Sequence, residues 1–372
     1  NPDQWLDHPE IIDEDFRLMD LAGCNAFSIG IFSWTSYERE EGVYDFSWLD
    51  EIMDRMAKAG KKVLLSTPSG AKPSWMAQKY PEIRMVGRDG RRDPQEERHN
   101  HCWSSPVYRR KVREINAKLA ERYANHPALG GWHVSNELGN NWHPDGCYCD
   151  LCQEAFREFL KKKYGTLEAL NRAWYASFWN VTLTDWSQVT PYVTSDTCQL
   201  DWRRFLMSQI ASFIENEIEP LRRFTPDKPV TINMMGFFYN LDYSKLDHLV
   251  DFVGDDVYPG WIEKENFAVH AASCAMRHDF QRAMKQKPFL VIESCPSATN
   301  WHYRAKLLRP GTLKFQDLIA IAHGADGTMY FQWRKARGNL EKTHGSVVDH
   351  AGTPDTRVFR EVAEIGALYR NC

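Results

Sequence analysis

The sequence predicts an α/β chain wound as a (β/α)8 barrel, and two patterns predict it. Short runs rich in Val, Ile, Phe and Met alternate with longer, charged stretches of helical period. Apolar strands fed by amphipathic helices make a parallel sheet covered by helices on its outside. No Gly-x-Gly-x-x-Gly loop follows any strand-like run, which disfavours the alternative, a doubly wound open sheet. A first helix is expected at 11–22. Strands are expected at 25–33, 62–67, 130–135, 230–236, 251–258, 289–293 and 327–333. The helical stretches fall at 47–59, 107–124, 153–163, 200–223, 267–285, 313–323 and 355–370. That is seven strands, so closing an eight-strand barrel puts the remaining one ahead of Asn1. Residues 1–372 show no internal repeat, low-complexity tract or linker.

Composition narrows the function. The formal charge is 46 − 50 = −4, with 43% hydrophobic and 26% charged residues. These values fit a globular chain and exclude a disordered, collagenous or coiled-coil one. No basic footprint for nucleic acid is present, and no apolar run approaches the roughly 20 residues of a membrane span. Trp (14) and Tyr (15) are plentiful, and such rings make flat walls suited to the apolar faces of sugars. The polar connections 68–106 and 334–353, and 138–152 between them, are long and read as structureless. In a barrel they belong on the C-terminal face, where sites are built. An insert at 164–199 carries Trp174, Trp179 and Trp186 and is expected to extend the wall of the cleft.

Three constellations carry chemistry. His133-Val134-Ser135-Asn136-Glu137 ends one apolar run, and Val291-Ile292-Glu293-Ser294 ends another. A carboxylate after an apolar run is costly unless paired or working. One such glutamate would most simply pair with a neighbouring Arg or Lys. Two, ending strands four and seven of an eight-strand count, face each other across the barrel mouth. Opposed carboxyls are the minimum machinery of glycoside hydrolysis. The second constellation is Cys147-Tyr148-Cys149-Asp150-Leu151-Cys152, whose spacing lets three thiolates reach one tetrahedral ion. Cys102 is the best fourth ligand, with His99, His101 and His143 as alternatives; a disulfide with spare thiols or a redox Cys-x-x-Cys are the competing readings. Cys24, Cys198, Cys274, Cys295 and Cys372 look isolated. The third is scattered over loops and strand ends: Arg98, Tyr258, Trp301, Glu341 and His344. Each is either a cleft residue or ordinary loop packing. Asp255 and Asp256 receive no role.

The stretches KPSWMAQKYPEI (72–83), RHNHC (98–102), CYCDLCQEAFREFLKKKYGTLEALNRAW (147–174), PSATNW (296–301) and AHGADGTMYFQWRKARGNLEKTHG (322–345) resemble glycoside hydrolase family 42, the β-galactosidases with a barrel catalytic domain. The resemblance implies a retaining hydrolase of β-galactosides, with Glu137 as acid/base and Glu293 as nucleophile. It implies Arg98, Asn136, Tyr258, Trp301, Glu341 and His344 as galactose contacts, and Cys102, Cys147, Cys149 and Cys152 as ligands of a structural zinc. No catalytic cofactor is expected, nor a nucleic-acid or membrane partner. Family members usually continue into further domains, so 1–372 resembles a trimmed catalytic domain, of a protein homotrimeric at full length. A cytoplasmic, bacterial setting is expected, with secretion left open by the trimmed opening. The alternatives are an α-L-arabinopyranosidase or β-fucosidase, or a non-catalytic, zinc-stabilised carbohydrate-binding protein.

Overall fold

The computed structural model describes residues 3–95, 98–139, 145–238, 240–261, 266–303 and 305–370. Seven parallel strands form its centre. They are β1 (Ala26–Ile29), β2 (Lys62–Ser66), β3 (Leu129–His133), β4 (Val230–Thr231, resuming as Asn233–Met234), β5 (Gly254–Val257), β6 (Phe289–Ser294) and β7 (Ala325–Thr328). Each neighbours the next in chain order. Leu65 sits beside Trp132, Trp132 beside Val230, and Asp255 and Thr328 both beside Val291. This is the winding of a (β/α)8 barrel.

Helices follow the expected spans to within a few residues: α1 (Ile12–Ala22), α2 (Ser47–Lys58), α3 (Pro106–Tyr123), α4 (Asp150–Tyr164), α6 (Asp196–Phe224), α7 (Phe267–Lys285), α8 (Thr312–Ala322) and α9 (Arg357–Tyr369); α5 (Leu167–Trp174), inside the insert, has no counterpart among them. Their starts and inner faces were written locally. In α2 the apolar residues Leu49, Ile52, Met53 and Met56 recur at three- and four-residue steps and are all buried, one stripe of a 3.6-residue helix. Ser105, Ser195 and Thr356 each accept a backbone N–H at the head of α3, α6 and α9, satisfying a donor the helix leaves open.

The strand ends and loops need correction. The run 25–33 pairs only to Ile29, because the chain turns through left-handed Gly30 and Phe32 (φ 95° and 62°). The run 327–333 pairs earlier, at 325–328, and its remainder joins the mouth loop through a bridge between Arg334 and Val348. Residues 68–106 are not structureless. They hold a helix at Ser74–Lys79, a 3-10 turn at Pro81–Ile83, and bridges between Arg84 and His101 and between Val86 and Arg92. The insert does not line the cleft with Trp174 or Trp186. Trp174 is buried, and Trp186 packs beside it, in a second apolar core that includes Phe156, Trp202 and Phe205 and surrounds the cysteines. Trp179 is exposed.

The main core runs from Ile12 to Ile365. Its ends meet where α9 packs on α1. The contact depends on Gly366, where a Cβ would stand 2.2 Å from the Ala22 carbonyl oxygen. Nearby, Arg334 from the last mouth loop grips both oxygens of buried Asp15, which also accepts Trp5 Nε1 at 2.7 Å. No helix among the described residues is long and apolar enough to cross a membrane. Gly366→Leu should therefore lower thermal stability, by about 1–3 kcal/mol as overpacked sites do. A calorimetric melt checks this, and an unchanged midpoint would show that α1 and α9 do not need the close approach.

Candidate active site

The site begins where β3 ends. After His133 the backbone turns sharply, with Ser135 at φ 58° and Glu137 at φ 41°. Such left-handed conformations cost a side-chain-bearing residue on the order of 1–3 kcal/mol and persist only where the surroundings impose them. Here they are imposed from below. Ser135 N–H donates to Thr67 Oγ1 at 2.7 Å, and Thr67 donates to Glu217 Oε2 at 2.7 Å. Ser69 Oγ meets Ser135 Oγ at 2.8 Å and donates to Glu217 Oε1 at 2.5 Å. Glu217, fully buried on α6, also accepts Asn116 Nδ2 at 3.3 Å. Burial pushes its carboxyl above the usual range, against the pull of Ser69, Thr67 and Asn116. The turn presents Asn136 and then Glu137, with Asn136 Nδ2 at 3.4 Å from Glu137 Oε2.

Glu293 projects from β6 to the same place. One carboxylate oxygen from each of Glu137, Asp256 and Glu293 lies within 4.8 Å of the others. Glu293 accepts a hydrogen bond on each oxygen, from Asn233 Nδ2 at 3.0 Å and from the Tyr258 hydroxyl at 2.7 Å. Burial first, and the facing charge of Glu137 second, push the Glu293 carboxyl up to about 8, while Tyr258 and Arg98 pull it down. Two acids this close resist double ionisation and titrate as a pair. The two donors stabilise the Glu293 carboxylate once its proton leaves. Asp256 is pushed well above its ordinary range by burial, then by Glu293 and Glu137. Tyr258 is pushed well up by burial and by Glu293, so it remains a donor. With both Glu293 oxygens occupied by donors, the three carboxyls make a poor cation site.

The rim is aromatic. Trp301, 54% exposed, stacks on His344 with centroids 4.9 Å apart and stands edge-on to Tyr258 at 4.6 Å. His344 is buried beneath it, its ring nitrogens 2.8 Å from Asn300 Oδ1 and 3.1 Å from the Phe331 carbonyl. Burial lowers it to about 4, so it is neutral. Glu341 is close enough to raise Glu293 by its charge. Opposite, the exposed Arg98 guanidinium lies over the Phe32 ring at 5.3 Å. Phe32 is in turn packed so tightly on Gly70 that a Cβ there would lie 2.8 Å from the ring. The structure thus gathers Arg98, Asn136, Glu137, Tyr258, Glu293, Trp301, Glu341 and His344 around one mouth.

Away from the mouth, Cys102, Cys147, Cys149 and Cys152 are buried and form one group. Cys102 Sγ lies 3.6 Å from Cys149 Sγ and 3.4 Å from Cys152 Sγ. These separations are far beyond a disulfide bond, and all four thiols are free. Of the alternatives for the fourth position, His99 and His101 are not in the group, and His143 lies outside the described residues.

A family model described as beta-galactosidase, glycoside hydrolase family 42, matches residues 1–371. The chain belongs to this family. It is 51% identical over 99% of its length to beta-galactosidase BglY of Alicyclobacillus acidocaldarius. It is 48% identical over 98% of its length to beta-galactosidase GanA of Bacillus subtilis. Among solved structures it is similar to the beta-galactosidase from Rahnella sp. R3, with a TM-score of 0.95, 49% identity and the whole chain covered. The chain spans about half the length of these proteins: 54% and 56% of the two curated relatives and 55% of the Rahnella chain. The (β/α)8 barrel expected from the alternating pattern is the fold of the family 42 structures it matches.

In this family 42 chain the sequence reading missed three residues that shape the site, Thr67, Glu217 and Asn233, and left a fourth, Asp256, without a role. Asn233 and Asp256 had a signal, since each is a polar residue inside a buried apolar strand. Glu217 had one as well, an acid on the buried stripe of a helix. Thr67 had none. The raised Glu293 carboxyl makes a signed prediction. A carboxyl raised from 4.5 to about 8 binds its proton more tightly folded than unfolded. Its contribution is complete below about pH 4.5 and is lost as pH rises toward 8. Glu293→Gln keeps a neutral group throughout. The melting temperature of the variant, relative to the unmodified protein, should therefore rise between pH 4.5 and pH 8.5. A difference that stays flat across that window would show that Glu293 is not raised.

Proposed function

We propose that this chain is the catalytic domain of a retaining β-galactosidase that releases terminal β-D-galactose by double displacement. The observation that carries the reading is the pair Glu137 and Glu293, with oxygens within 4.8 Å and the two donors placed on Glu293. Retaining glycosidases hold their carboxyls about 5–5.5 Å apart, and inverting ones leave room for a water between them. A lectin has no use for such a pair, whose mutual repulsion it would have to offset for nothing.

In the first step a Glu293 oxygen attacks the anomeric carbon from the α face. The bond to the leaving group breaks, and its oxygen takes the electron pair and the proton of Glu137. In the second step Glu137, now ionised, accepts a proton from water. The water oxygen attacks the same carbon from the β face and releases Glu293. Tyr258 and Asn233 donate to Glu293, favour its ionised form and aim it. Asn136 stands beside both the sugar and the acid, and Trp301 offers the ring a flat wall. Arg98, Glu341 and His344 complete the recognition of galactose. No cofactor takes part in these steps. For the full-length protein the same reading includes further domains, a homotrimer and a bacterial cytoplasm.

The test is a panel of nitrophenyl glycosides with azide trapping. We expect strong preference for β-galactoside over β-glucoside, since a site built to bond the axial 4-hydroxyl loses a buried contact when it is equatorial. Glu137→Ala should release a good leaving group and yield β-galactosyl azide, whereas Glu293→Ala should yield the α-azide. Exchanged azide configurations would reverse the roles, and α-L-arabinopyranoside or β-fucoside as the best substrate would move the chain to that specificity.

The cysteine group belongs to the same proposal as a structural zinc site. A tetrahedral ion with sulfurs at about 2.3 Å needs sulfur–sulfur edges of roughly 3.8 Å, near the observed 3.4 and 3.6 Å. Four thiolates would close the coordination shell and leave no position for a reacting water. Thiols kept for a metal also suit a reducing compartment. Elemental analysis should find about one zinc per chain, and Cys149→Ser should lower the melting temperature more than it lowers kcat. Metal-free protein of full stability would remove zinc from the reading.

A further inference from the structure

We propose that Asn233 is a positioning residue that ties the nucleophile to the acid/base turn, so that one amide from β4 sets the separation of the two working carboxyls. The inference deepens the reading of Glu137 and Glu293 as the catalytic pair and rests on it.

Asn233 is 2% exposed, and its amide is fully used. Oδ1 accepts the Glu137 backbone N–H at 3.2 Å and a close hydrogen bond from His133 Nε2. Nδ2 donates to Asp256 Oδ2 at 2.9 Å and to Glu293 Oε1 at 3.0 Å. The orientation is not arbitrary. A backbone N–H can only donate, so the atom facing Glu137 is the oxygen, and the nitrogen is left for the carboxyls. His133 completes the arrangement. Burial lowers it to about 4, so it is neutral. Its Nε2 carries the proton toward Asn233, and its Nδ1 accepts Ser28 Oγ at 2.9 Å. One chain of hydrogen bonds therefore crosses the barrel from β1 through β3 and β4 to β5 and β6.

The two ends of this chain are the two catalytic groups, and they are held differently. Glu293 is held by its side-chain oxygen. Glu137 is held by its backbone, in the left-handed conformation that the turn imposes. Asn233 thus fixes where the Glu137 side chain starts and where the Glu293 oxygen ends. A misplacement of about 1 Å at such a site costs on the order of 10²-fold in rate. Glu293 is also faced by charged and titratable groups from each neighbouring element. They are Arg98 after β2, Glu137 after β3, Asp256 and Tyr258 on or beside β5, and Glu341 after β7; His133 faces Asn233 itself. Asn233→Asp keeps an acceptor for Glu137 and His133. It removes the donor to Glu293 and adds one more acid to this group.

The test compares the unmodified protein, Asn233→Ala, Asn233→Asp and Glu137→Ala on two substrates. One is 2,4-dinitrophenyl β-D-galactoside, whose leaving group needs no acid; the other is phenyl β-D-galactoside, whose leaving group does. We expect both Asn233 variants to bind galactose within about threefold of the unmodified protein and to lose on the order of 10²-fold in kcat on both substrates. Glu137→Ala should release dinitrophenol well and phenol poorly. Asn233→Asp should also move the acidic limb of kcat/KM to higher pH, since the added acid makes Glu293 harder to ionise. A merely structural role would lower the melting temperature and leave kcat and the pH profile in place, and that result overturns the proposal. Loss on the phenyl substrate alone would overturn it too, because Asn233 would then act on Glu137 only. If Asn233→Ala does not fold, the isosteric Asn233→Asp decides. If the unmodified protein turns over neither galactoside, the functional reading fails; if it turns over both and the Asn233 variants match it, only this inference fails.

Discussion

The structure is organised around a repulsion. Glu137, Asp256 and Glu293 bring three carboxyls within 4.8 Å of one another at the end of a barrel. Burial and mutual charge both oppose their ionisation. A fold tolerates this only if donors reach the carboxyls and the three are not all charged at once. Tyr258 and Asn233 supply the donors to Glu293. The strained turn at Ser135 and Glu137 is the second half of the same cost, and it is offset through Thr67, Ser69 and the buried Glu217. The architecture explains why this is feasible. Parallel strands deliver their C-terminal ends to one face, so β4, β5 and β6 place Asn233, Asp256 and Glu293 there directly, and the turn after β3 brings Glu137 to them.

How much of this the sequence shows follows from the range of each interaction. Helices were legible because their information is local: the Leu49–Met56 stripe and the Ser105 and Thr356 caps lie within a turn or two of what they stabilise. Strands were legible as apolar runs, but not their ends. Whether residues 30–33 pair depends on the turn at Gly30 and Phe32, not on their hydropathy. Glu137 and Glu293 stood out because an acid after an apolar run contradicts its surroundings. Asn233 contradicts its surroundings as plainly, yet an amide suggests no reaction, and its partners lie 60 and 96 residues away. The loop 68–106 was opaque for the same reason. Its order comes from contacts such as Cys102 with Cys149 and Val86 N–H with Cys147, which no local pattern records.

The cysteine group and the carboxyl group are linked along the chain. Cys102 follows Arg98 by four residues, and Cys147 follows Glu137 by ten. The group therefore clamps the loop that carries Arg98 to the segment from Cys147 to Cys152. The second apolar core, with Phe156, Trp174 and Trp202, packs around that clamp. On the other side, Glu293 needs no such clamp, since β6 is paired on both edges and holds it directly. The asymmetry follows from where each acid sits. A carboxyl on a paired strand is placed by the sheet, whereas one on a turn past the sheet's edge must be placed by everything that holds that turn: the cysteine clamp beyond it, Glu217 beneath it, and the Asn233 amide on the neighbouring strand.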